Sequence, residues 1–300
     1  MARGKEIYGN HSLLMTPFKE NGEVDEASAK RLIEFLIKKG VHGILALGTT
    51  GENFTLSHDE TKAFMKFVVN TVQGRVPVGL GISSSSTSVS VELAKWAENI
   101  EAEYVFTTAP YYHPHRPAAI YIHFEAIGHA LKTIPMMVYD GGAGIEFSLD
   151  LIKKIAEGIE EVKYVKVFVP FPRKIKQIAD ACGGHIQPWA GHDQLTYLML
   201  RHGAKGLTSA ASNVLPAEHS KMFTDIQEGN VESARKIFHA KVAPLNSVAF
   251  ATALEFVQCY KHALYLMNII DTPTCRKPLE PIDDTRKEEL KEVMKYVGLI

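Results

Sequence analysis

Apolar bursts of five to eight residues alternate with amphipathic stretches along most of the chain. Each burst has the length of a strand, and each intervening stretch has helical spacing. The bursts occupy 11–16, 43–48, 76–82, 103–108 and 135–139, and three more begin at 162, 185 and 205. Residues 25–40 read as a helix with apolar positions at Ala27, Leu32, Ile33 and Leu36, and with Gly40 as its stop. A second helix opens on Ser57 as N-cap with Glu60 three residues on, a capping box. Eight strand-helix units predict a closed parallel (β/α)8 TIM barrel over 1–228, which carries the active site. Beyond about residue 228 the bursts stop, and three helical stretches form a C-terminal helical extension over 229–300.

Composition narrows the partners. With 300 residues, 46% apolar side chains and a formal net charge of -1, the chain can bury a large core but has no basic excess to hold nucleic acid or an anionic membrane. A small-molecule ligand is expected. The opening MARGKEIYGN has no signal-peptide core, and no run of apolar residues is long enough to span a bilayer, so a cytoplasmic protein is expected. Cys182, Cys259 and Cys275 lie far apart in sequence without metal-ligand spacing and read as reduced, packed thiols. Neither GLGIS nor CGGH has the context of a nucleotide-binding motif, so no metal and no nucleotide cofactor are expected.

A barrel of this type places chemistry at the C-terminal ends of its strands. The stretch GTTGE at 48–52 follows the second strand, and it reads either as a tight turn or as an anion cradle of backbone amides and two hydroxyls. Strand six, VKYVKVFV, carries two lysines that alternation sends to opposite faces. Lys166 is nearer the C-terminal end, where enclosure would lower its pKa and yield a neutral nucleophile; Lys163 reads as a side chain reaching water. Tyr139 ends strand five, and Tyr111 and Tyr112 follow strand four; each is either core filler or a phenol able to pass protons. In WAGHDQL, Asp193 is expected to cap the next helix, and His192 is either a plain loop residue or one that faces the pocket. The run SSSSTS at 83–88 lines the mouth of the site or leads into a helix cap.

Taken together, LMTPFKENGEVDEASAKRLIEFLIKKGVHGILALGTTGE, TAPYYHPHRPAAIYIHF, PMMVYD, VKYVKV, GAKGLTSAASNVLP and CRKPLEP resemble the dihydrodipicolinate synthase and N-acetylneuraminate lyase family over nearly the whole chain. The resemblance implies a class I aldolase on a TIM barrel that uses no cofactor beyond a covalent imine between Lys166 and pyruvate or another 2-keto acid. It implies that Tyr139 shuttles protons, and that Thr49 links Tyr139 to Tyr112. Tyr112 would reach the site of a neighbouring subunit in a homodimer or a tetramer of two dimers. Gly48 and Thr50, with nearby amides, would hold the keto-acid carboxylate, and Thr208 would border pyruvate.

One stretch departs from the family. Its synthases follow the strand-five tyrosine with asparagine and a loop arginine that holds the second substrate's carboxylate, whereas this chain reads YDGGAGIEF, with Asp140 and no arginine. A carboxylate there would meet glycines and an acid. Arg116 is a possible replacement, or simply a solvated loop residue. The leading expectation is a Schiff-base lyase that cleaves, forms or dehydrates a 2-keto acid. The alternatives are a dihydrodipicolinate synthase with an atypical carboxylate site and a barrel that binds keto acids without turnover.

Overall fold

A computed structural model describes residues 6–252 and 255–300. Eight parallel strands close into one barrel in chain order. They are β1 (Gly9–Leu13), β2 (Gly43–Ala46), β3 (Val78–Gly81), β4 (Tyr104–Thr108), β5 (Met136–Asp140), β6 (Val162–Val167), β7 (Gln187–Ala190) and β8 (Gly206–Ser209). All eight overlap the apolar bursts, with β1 shifted toward the N-terminus of its burst, because a strand covered on both faces needs a largely apolar run. Helices α1 (Glu26–Lys38), α2 (His58–Val72), α3 (Thr87–Asn99), α4 (Pro117–Gly128), α5 (Leu149–Gly158), α6 (Lys174–Cys182), α7 (Thr196–Arg201) and α8 (Pro216–Gln227) follow β1 to β8 in turn. Then come α9 (Val231–Ile237), α10 (Ala243–Ala249), α11 (Phe256–Leu266) and α12 (Asp284–Tyr296), with a π-helical turn joining α9 to α10. This is a (β/α)8 TIM barrel with C-terminal helices.

Local chemistry sets the element ends. Ser57 accepts from the Glu60 amide while the Glu60 carboxylate accepts from the Ser57 amide, closing the expected capping box. Gly40, at φ +81°, ends the turn after α1. Three large rings are accommodated by glycines on the adjoining strand. A Cβ at Gly43 would lie 2.3 Å from the His11 ring, one at Gly79 2.1 Å from Tyr104, and one at Gly206 2.6 Å from Trp189. Such spacing leaves no room for even a methyl group, so each glycine is a packing requirement.

By internal packing the chain forms two compact units: Pro77–Thr208 with the segment ending at Tyr8, and Gly9–Val76 with Ser209–Ile300. In the second unit, the buried Glu52 carboxylate pairs with Lys261 and accepts from the Arg276 amide at 2.9 Å. The Lys261 amine and the Arg276 guanidinium lie 4.2 and 4.4 Å from the centroid of Phe18. The stretch CRKPLEP therefore serves as a clasp onto the loop that begins at Gly48. Among the described residues no helix is long and apolar enough to cross a membrane.

Candidate active site

Strand β6 separates its two lysines as alternation requires. Lys163 is exposed, and Lys166 is 4% exposed. Register pairs Lys166 with Tyr139 on β5 and with Trp189 on β7, so the amine and the phenol ring share a face of adjoining strands. The Lys166 Nζ lies 4.3 Å from the centroid of the Tyr139 ring and 5.5 Å from that of Phe106. Gly191 makes the space for its stem: a Cβ there would lie 2.6 Å from Lys166 Cγ. Burial lowers the Lys166 pKa from 10.5 to about 8, against the opposing pull of the Asp193 carboxylate. The Tyr139 phenol is pushed up by burial and by the Asp193 and Asp140 carboxylates, so it stays protonated and able to donate.

A pH dependence follows. At pH 7 a lysine of pKa about 8 is neutral in about one molecule in ten, against about one in three thousand for an unperturbed one. Lowering the pKa raises the neutral fraction, so the rate of borohydride-trapped pyruvate adduct should climb about tenfold per pH unit below about 8 and level off above it. A profile still rising tenfold per unit at pH 10 would contradict this assignment.

The loop after β5 corrects one expectation. Asp140 was expected to face the second substrate, but Tyr139 points inward and alternation turns Asp140 outward, where it is fully buried. Its Oδ1 accepts from the Phe147 amide at 2.7 Å, and its Oδ2 lies 2.8 Å from Lys174 Nζ. Lys174, the first residue of α6, also donates to Glu146 Oε1 at 2.9 Å and to the Phe147 carbonyl at 2.8 Å. Its ammonium is thus enclosed by three oxygens, two as hydrogen-bond acceptors and the third as the ion pair with Asp140. Within this clip, Gly141 stands at φ +91°, and a Cβ on Gly142 would lie 2.6 Å from the Tyr139 ring. The loop thus presents its backbone, and no cationic side chain of its own, beside Tyr139.

The remaining predicted residues divide between the units. In the first, Thr208 is buried, and its Oγ1 has no hydrogen-bond partner among the described residues. Tyr112 is 91% exposed, and its amide donates to Ser85 Oγ at 3.1 Å; the Thr108 amide donates to Ser83 Oγ at the same distance. The serine run therefore ties down the segment that follows β4. Arg116 is exposed at the start of α4. In the second unit, Thr50 is buried and Thr49 exposed on a 3-10 turn after β2, entered through extended Gly48. The Gly51 amide donates to Gly48 O and the Glu52 amide to Thr49 O, each at 3.0 Å. The glutamate of this motif is an anchor, as its pairing with Lys261 requires.

Asp193 does not cap the next helix. The chain first makes a 3-10 turn over Asp193–Leu195, so α7 begins at Thr196, and no side chain caps it. Asp193 is instead buried and acts on the titration of Lys166 and Tyr139. His192 immediately precedes this turn, as its N-cap residue. Its ring stacks on Phe168, with centroids 4.7 Å apart and planes at 15°. A cavity of about 550 Å³ lies at the other ends of β5 to β7, lined by Lys132, Glu161, Lys163, His185 and Gln187 among others. It contains none of the residues around Lys166.

A barrel whose sixth strand carries an enclosed lysine of depressed pKa, with a protonated phenol on the adjoining fifth strand, has the makings of a class I aldolase. The model of the dihydrodipicolinate synthetase family matches residues 7–297, and the chain belongs to that family of lyases. Its enzymes work through a covalent lysine–pyruvate Schiff base without an external cofactor. The 4-hydroxy-tetrahydrodipicolinate synthase of Bradyrhizobium diazoefficiens is 33% identical over 302 residues, covering 100% of both chains. A solved dihydrodipicolinate synthase from Thermotoga maritima superposes with TM-score 0.92 at 30% identity, covering 99% of this chain and 100% of that one. The chloride-inhibited dihydrodipicolinate synthase of Acinetobacter baumannii, solved with pyruvate, gives TM-score 0.92 at 28% identity, covering 98% and 100%.

Proposed function

We propose that this chain is a Schiff-base lyase for a 2-keto acid with a neutral, hydroxylated tail, acting by aldol cleavage or condensation with pyruvate or by dehydration of a 2-keto-3-deoxy sugar acid. In this reading neutral Lys166 adds to the keto carbon, and water leaves as the imine forms. Tyr139 supplies and removes the protons of that step; C–C cleavage with proton removal from the C4 hydroxyl then gives an enamine on Lys166, whereas in dehydration proton loss at C3 gives the enamine first and departure of the C4 hydroxyl as water leaves a conjugated imine. Thr208 offers its unused hydroxyl to the pyruvate portion. Gly48, Thr49 and Thr50 are assigned to the carboxylate and to proton relay by their place at the end of β2. Tyr112, on a tip held by Ser85, would be offered to a second copy in a homodimer or a tetramer.

The observation that carries the choice of tail is the engagement of Lys174. It donates to Glu146 and to the Phe147 carbonyl and is paired with the buried Asp140 carboxylate, so the cation reaching this loop is already neutralised within it. Desolvating an unpaired carboxylate is costly, whereas hydroxyls can bond to exposed backbone groups. The names of the curated relatives favour a second reading, 4-hydroxy-tetrahydrodipicolinate synthase, for which Arg116 would be the replacement clamp. The test compares kcat/KM for pyruvate plus aspartate semialdehyde with cleavage or dehydration of a panel of 2-keto-3-deoxy sugar acids. At least about a hundredfold preference for a panel member is expected, the scale of one uncompensated charged contact. Efficient condensation with the semialdehyde and silence on the panel would establish the second reading.

A further inference from the structure

His192 carries a buried ring nitrogen that its packing among the described residues leaves unused. The stem of Lys166 lies against Gly191, so the next residue stands at the same end of the barrel wall as the amine. Phe168, which directly follows β6 and lies two residues beyond Lys166, meets Tyr139 edge to face, with centroids 6.2 Å apart and planes at 79°. The parallel stack on Phe168 then fixes the imidazole as the third ring in a row, Tyr139, Phe168, His192. Its Nδ1 is buried and has no hydrogen-bond partner among the described residues. A buried polar atom left unsatisfied costs about 1–3 kcal/mol and calls for a reason. Burial and the Lys166 ammonium both disfavour a charge on this ring, against the pull of Asp193, so the imidazole is held neutral. A neutral imidazole has one donor and one acceptor nitrogen, which matches a hydroxyl better than a carboxylate.

We propose that His192 is a specificity-determining residue that hydrogen-bonds a hydroxyl on the carbon chain of the 2-keto acid held at Lys166. This rests on Lys166 as the imine-forming residue, and it names the side chain that would read the tail. The experiment mixes 2-keto-3-deoxygluconate with 2-ketobutyrate, reduces with borohydride and counts the Lys166 adducts by mass, scoring intact and cleaved products of the hydroxylated acid together. His192→Phe keeps a ring to stack on Phe168 but removes both nitrogens, and it should lower the hydroxylated share relative to 2-ketobutyrate about tenfold, the worth of one such bond. His192→Asn, which retains a short donor and acceptor, should recover part of that share. An equal change in both adducts, or none in either, would overturn the role of His192 while leaving Lys166 in place. Absence of any adduct in the parent protein would overturn the Schiff-base reading, and this inference with it.

Discussion

Lys166→Met is expected to fold, because a linear side chain of similar volume replaces the lysine in its enclosed slot, and to lose turnover by at least about 10³-fold. That scale is set by removal of a covalent nucleophile whose neighbours act with it as a unit. Lys163→Met should stay near the parent rate, since its side chain is exposed on the opposite face of β6. Tyr139→Phe retains the ring against Phe106 and removes only the hydroxyl, so a loss of about 10²–10⁴ with an intact fold is expected. Steady-state rates alongside circular dichroism separate these outcomes. A folded Lys166→Met variant with near-normal turnover would place the nucleophile elsewhere.

Lys174→Met should produce the largest loss of stability among single changes near the site, about 3–5 kcal/mol, because it strands the Asp140 carboxylate in a fully buried position. Burial already favours the protonated form of Asp140, and the Lys174 ammonium opposes that shift. Without the cation the carboxyl would take up a proton or the loop would open. Adding Asp140→Asn should recover most of the loss, since a neutral pair strands no charge and the amide oxygen can still accept from the Phe147 amide. Urea unfolding of the two single variants and the double variant measures this coupling. A Lys174→Met protein as stable as the parent would mean that the loop after β5 is not held by the clip.

Much of this architecture can be read from the chain because it depends on local patterning. Each strand overlaps an apolar burst, the Ser57–Glu60 box closes within one turn, and the opposite fates of Lys163 and Lys166 follow from a period of two. The order of the bursts makes β5 and β6 neighbours, but Tyr139 meets Lys166 only after a register shift between Met136 and Met137, which no local pattern shows. What stayed hidden depends on long-range partners. Asp140 and Lys174 are 34 positions apart, and nothing local says that an acid after the strand-five tyrosine is neutralised by the first residue of α6. A trace existed: Lys174 falls on the stripe with Ile175, Ile178 and Cys182, the buried side of its helix. Asp193 was misjudged because a 3-10 turn delays the helix that it was expected to cap. His192 carries no pattern of its own, and its ring stacks on Phe168, 24 positions earlier and just past β6. Glu52 looked like part of a ligand loop until Lys261 and Arg276, more than two hundred residues further on, came to rest against it.

The central claim is that Lys166 forms the imine, and peptide mapping after borohydride reduction in the presence of pyruvate tests it most directly. The adduct is expected on the peptide carrying Lys166, with Lys163 unmodified, and with a yield that rises with pH up to about 8. An adduct on Lys163, or none at any pH, would contradict it.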